Sequence, residues 1–97
     1  ATAKDVHGAI ALIVDKQRAS AQQSAYDWKV CVLAVSAAHE VFRDVPVQGS
    51  AAEYCDAVLA TLVALQDRYS DSDGEFTNGS SEIGTIAARV KSLRDSL

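Results

Sequence analysis

The sequence predicts an all-α fold, a small antiparallel bundle of four helices, and three observations carry that reading. One proline and five glycines punctuate 97 residues, and alanine, the strongest helix former, is abundant. Apolar residues recur at three- and four-residue spacing in four separate segments. The segments are similar in length and joined by short polar connections, as in an antiparallel bundle. No internal repeat or strand-like alternation competes; the nearest alternative has three helices, with the first segment extended or detached. A chain of this length fits a single helical domain over residues 1–97.

The first helix is expected at about 4–19, where Val6, Ile10, Ile13, Val14 and Gln17 form one stripe and Asp15, Lys16 and Arg18 lie outside it. Residues 19–24 either extend this helix or break it. Asp27 is an N-cap candidate for a second helix at about 28–43. That segment is apolar nearly all round. Trp28, Cys31, Val32, Val35, His39 and Phe42 share one face, and Val30, Leu33, Ala34, Ala37 and Val41 cover much of the rest. Such a helix is normally central, so Trp28 is expected in the core. His39 is then a buried histidine that needs a hydrogen-bond partner, or a ligand to a metal or haem.

Pro46 and Gly49 break the pattern after the second helix, and Ser50 with Glu53 forms a capping-box signature for a third helix at about 51–69. Tyr54, Val58, Leu62, Leu65 and Tyr69 form one side of it, with Cys55, Leu59, Val63 and Gln66 adjacent. Residues 70–80 read as a polar loop. A last helix at about 81–96 aligns Ile83, Ile86, Val90, Leu93 and Leu97.

Composition narrows the function. The net charge is -4, and the one basic cluster, Arg89, Lys91 and Arg94, suits the C-terminus of a helix better than a phosphate backbone. Nucleic-acid binding is not expected. No run approaches the length of about 18 apolar residues that a membrane span requires.

Cys31 and Cys55 admit two readings, an intramolecular disulfide or two buried thiols. In a tight hairpin of helices two and three their depths differ by roughly 10 Å, too far for a bond whose Cα atoms must approach within about 7 Å. A longer connection or a steep crossing would restore it. A lone cysteine pair is also common in secreted domains, which favours a secreted or periplasmic chain over a cytoplasmic one.

No catalytic motif is present. GxSxG, Walker A, the Rossmann fingerprint, HExxH and CxxC are all missing, so no enzyme, metal or cofactor is expected. Asp71, Asp73 and Gly74 match the middle of an EF-hand loop, but Tyr69 and Ser80 stand where its end ligands belong. Asn78-Gly79-Ser80 matches both a glycosylation acceptor and a turn.

The leading expectation is a protein-interaction module, such as an inhibitor, an immunity-type protein, an adaptor or an assembly subunit. It would act on a protein partner or on itself through an apolar helical face and an acidic surface. The acidic segment Asp67, Asp71, Asp73, Glu75 and Phe76 is the preferred contact patch. The alternatives are a carrier for a small hydrophobic ligand and an interior cofactor site using His7 or His39.

Overall fold

The computed structural model describes residues 1–23, 28–70 and 77–97, with Ser70, Thr77 and Asn78 described by backbone alone. Among these, four α-helices form an all-α bundle: α1 (Ala3–Gln22), α2 (Trp28–Asp44), α3 (Ala51–Ser70) and α4 (Thr77–Asp95). The molecule measures 38 × 25 × 22 Å. The long dimension is set by helices of 20 residues, each about 30 Å long.

Each helix buries one stripe. The core combines Val6, Ile10 and Val14 of α1 with Ala34, Val35 and Phe42 of α2. Tyr54, Val58 and Leu62 of α3 and Ile83, Ile86 and Val90 of α4 complete it. In α1, α3 and α4 these residues belong to the stripes expected from spacing; in α2 the buried face is turned towards Ala34 and Ala38, leaving Val32 and His39 half-buried and Trp28 exposed. Leu93 and Leu97 depart from the stripe expected in α4: Leu93 is half-buried and Leu97 is exposed at the frayed end.

The packing order differs from the chain order. The largest shared surfaces lie between α3 and α4, between α1 and α2, between α2 and α4, and between α1 and α3. The consecutive helices α2 and α3 share the smallest, so they stand diagonally across the bundle. Thr2, the N-cap of α1, forms a β-bridge with Ser50, which caps α3. Helices α1 and α3 therefore start side by side and run parallel.

Both starts are built from hydrogen bonds. Thr2 Oγ1 accepts from the Asp5 amide at 3.2 Å, and the Thr2 amide donates to Asp5 Oδ2 at 3.0 Å. This capping box was not part of the sequence reading. The Thr2 amide, and after it the Thr2 hydroxyl, donate to the exposed Asp5 carboxylate and hold it below its ordinary pKa. Ser50 Oγ accepts from the Glu53 amide at 3.1 Å, as its capping signature suggested. Gly49 supplies a positive φ of 77° ahead of it.

Two helix boundaries are corrected. Helix α1 continues to Gln22, with Ala21 buried, so the alanine-rich 19–22 extends it. Helix α4 begins at Thr77 rather than near 81, and Asn78-Gly79-Ser80 lies in its first turn. Packing overrides the turn signal there. A Cβ on Gly79 would lie 3.0 Å from Tyr69 Cδ2 and 3.4 Å from Ala34 Cβ, so the missing side chain lets α4 close on α2 and α3. Asp27, the expected cap of α2, falls outside the described residues.

Gly8 is the opposite case. It is exposed on α1 and a Cβ there would meet nothing within 4 Å. Gly8→Ala should raise stability by about 0.5–1 kcal/mol through helix propensity. Gly79→Ala should lower it by about 1–3 kcal/mol through overpacking. Urea unfolding followed by circular dichroism measures both, and equal effects at the two positions would contradict this packing.

Candidate functional site

The two histidines meet on one aromatic ring. His7 of α1 stacks on Phe42 of α2 with ring centroids 4.7 Å apart, and His39 lies tilted against the same ring at 6.3 Å. Position 7 lies one turn into α1 and positions 39 and 42 lie near the end of α2, so antiparallel packing brings them to the same end of the bundle. His7 Nδ1 is 2.8 Å from the Tyr54 hydroxyl of α3. Tyr54 is 1% exposed, so the imidazole satisfies a phenol that water does not reach. His39 is half-buried at the edge of this cluster.

This group has the form of a core-end polar clasp. Among the described residues no set of three or more His, Cys, Asp and Glu side chains is placed to hold a metal ion. A cleft of about 400 Å³ opens beside Tyr54, lined by Val45, Pro46, Gln48, Gly49, Glu53 and Ala57. Its walls are the α2–α3 connection and the first turns of α3. It is not the valine- and leucine-lined interior pocket that a ligand carrier would need.

The cysteines are both buried and are not bridged. The disulfide considered for Cys31 and Cys55 is therefore corrected. The diagonal placement of α2 and α3 adds to the difference in depth: the two helices are not neighbours, so neither a longer connection nor a steep crossing restores the bond. The Cys55 thiol instead donates to the Val90 carbonyl of α4 at 3.6 Å. Burial pushes the Cys55 thiol and the Tyr54 hydroxyl above their ordinary pKa values, with the neighbouring Asp56 adding to the first and Cys55 to the second.

The acidic contact patch cannot be assembled here. Asp67 is exposed near the end of α3; Asp71, Asp73, Glu75 and Phe76 lie outside the described residues. Of the basic cluster, Arg94 is tied to α3, its Nε donating to Asp56 Oδ1 at 2.7 Å. Gln17, the buried polar side chain of the core, donates to Glu82 Oε2 and links α1 to α4.

The expectation of a central second helix is also corrected. Helix α2 is not central: it buries Cys31, Ala34, Val35, Ala38 and Phe42 along one face only. Trp28, expected in the core, is 47% exposed at the first position of α2, with the Lys29 ammonium 5.7 Å from its ring. The bundle buries one side of α2 and partly covers its margins, where Val32, Ala37 and Val41 pack against the core. The outer face of α2 consequently carries an apolar ridge. Leu33 is 65% exposed, and Val30, Ala37 and Val41 beside it are half-buried. They fall at spacings of three, four and four, on one helical face. Exposed Lys29 and Glu40 line one edge, and exposed Asp44 closes the ridge at its C-terminal end. The other large exposed apolar residues, Leu12, Val47, Val63 and Leu97, stand on separate segments.

The chain matches no family model, no curated protein and no solved structure. Among the described residues no helix is long and apolar enough to cross a membrane.

The clasp predicts an asymmetry. His7→Leu strands the buried Tyr54 hydroxyl and should cost about 1–3 kcal/mol, whereas Tyr54→Phe leaves only a part-exposed imidazole and should cost about 1 kcal/mol or less. Thermal or urea unfolding of the two variants gives the order, and a reversed order would mean that water reaches Tyr54.

The buried Cys55 thiol and Tyr54 phenol make a second expectation. Their folded-state pKa values lie above the ordinary 9.0 of cysteine and 10.0 of tyrosine. Above those values the unfolded chain releases protons that the folded chain retains, so stability is full below about pH 9 and falls as pH rises further. Urea midpoints at neutral and alkaline pH should show the fall, with Cys55→Ala delaying its onset. A thiol reagent should find both cysteines in denaturant and neither within minutes in the native protein; rapid native labelling would contradict the burial.

Proposed function

We propose that this protein is a non-enzymatic protein-interaction module whose contact surface is the outer face of α2. The observation that carries this is the ridge of Val30, Leu33, Ala37 and Val41 around the 65% exposed Leu33. Ala37 and Val41 also pack against the margin of the core, so the part of this face that the fold uses least is Leu33. Apolar anchors at i, i+3, i+7 and i+11 match the way one helix packs against another or into a groove.

The acidic segment from Asp67 to Phe76 belongs to this proposal as a secondary contact for a basic partner. The net charge of -4 supports steering of such a partner towards the bundle. An interior ligand or cofactor is the weaker reading, because the two histidines are engaged with Phe42 and Tyr54.

A photo-crosslinking side chain at position 33, introduced in the native host, should give a discrete protein adduct. The same group at exposed Ser92 of α4 should not. Equal labelling at both positions, or none at either, would remove the ridge as the functional surface.

A further inference from the structure

The cleft beside Tyr54 has in its wall a carboxylate that the fold leaves unengaged. We propose that this cleft receives a lysine side chain of a basic partner protein. Glu53 takes the ammonium, and the α2–α3 connection takes the apolar stem. This is a contact separate from the ridge on α2, and neither depends on the other.

Glu53 stands three residues after the cap Ser50, where a carboxylate ordinarily returns to the cap amide. Asp5 does so at Thr2. Glu53 gives only its amide, to Ser50 Oγ, while the bridge to Thr2 holds the cap from the other side. The Glu53 carboxylate turns instead over Gly49, where a Cβ would lie 2.9 Å from Oε2. Glycine at this positive φ leaves that space free. Among the described residues no ion pair or hydrogen bond engages the carboxylate. It faces a cleft of about 400 Å³.

The remaining walls sort by chemistry. Val45, Pro46 and Ala57 are apolar, and Gln48 brings an amide oxygen that can accept. Among the described residues no lysine, arginine or histidine lines the cleft, so its one charge is negative. Lysine suits such a place, because its four-carbon stem lies along apolar surface while its ammonium reaches a polar tip. A neutral apolar side chain would cover the carboxylate and leave it without a partner. The first-turn amides of α3 alone would favour an anion; Glu53 reverses that preference. The net charge of -4 draws the same class of partner.

The probe is N-acetyl-lysine methylamide, titrated at low salt to about 100 mM, as a single exposed charge contact requires. The amide resonances of isotopically labelled protein report it. Saturable shifts should centre on Gln48, Gly49 and Glu53, and the norleucine analogue, which lacks the ammonium, should barely move them. Glu53→Gln keeps a residue suited to this helix position and should weaken lysine binding by about three- to tenfold. Ala57→Lys, at an exposed position of α3, sets the chain's own ammonium at the cleft and should abolish the shifts. Circular dichroism checks that both variants keep their helices, and the norleucine comparison needs no variant at all. An equal response to norleucine, shifts centred elsewhere, no shifts, or a folded Glu53→Gln variant that binds unchanged would each overturn the proposal. The position-33 adduct reports on α2 alone, so a failure here and a failure there are read separately.

Discussion

The side-by-side start of α1 and α3 is the constraint on which the other contacts depend. The Thr2–Ser50 bridge fixes two helix caps against each other, and two parallel neighbours oblige the helices between and after them to take the remaining corners. Helix α2, which links α1 to α3, is displaced to the position diagonal to α3. Helix α4 then closes between α2 and α3, returning antiparallel to α3, with Arg94 reaching Asp56 near the start of α3. The first turns of both parallel helices carry a carboxylate, Asp5 and Glu53. These offset the two positive helix ends that would otherwise repel.

That arrangement decides which reactive groups meet. It separates the helices that hold Cys31 and Cys55, and so leaves two buried thiols. It also brings α1, α2 and α3 to one end of the bundle with His7, Phe42 and Tyr54 in contact. A phenol buried to 1% exposure needs one good partner, and the imidazole of His7 is the group close enough to serve. The pair is better understood as a device for closing the end of a short core than as a site poised for chemistry. A 97-residue chain has little interior to spare for an unsatisfied polar atom.

Much of this was legible in the residues. Four stripes at helical spacing named nearly every buried side chain, because burial and periodicity are two expressions of one geometry. Ser50 and Glu53 marked the start of α3 by local chemistry alone. The failures share a different cause. Gly79 reads as a turn residue until Tyr69 and Ala34 pack against it, and Trp28 reads as core until its place at a helix end exposes it. Both depend on what lies across the bundle, which neighbouring letters do not encode. The His7–Tyr54 bond spans 47 positions and had no local signal; only two histidines and a stripe through Tyr54 hinted at it. The acidic patch from Asp71 to Phe76 lies outside the described residues, so the sequence reading of that surface stands on its charge and its single aromatic residue.

The outer margin of α2 is the part of the helix that the fold uses least. The buried stripe is Cys31, Ala34, Val35, Ala38 and Phe42, and Ala37 and Val41 add packing at its border. Leu33 gains the isolated chain little, since it leaves most of its apolar surface in water at about 25 cal/mol per Å². A polar side chain at position 33 would fold equally well and dissolve better. Scattered exposed residues such as Leu12 need no explanation, but four apolar positions in register on one helix form a continuous surface.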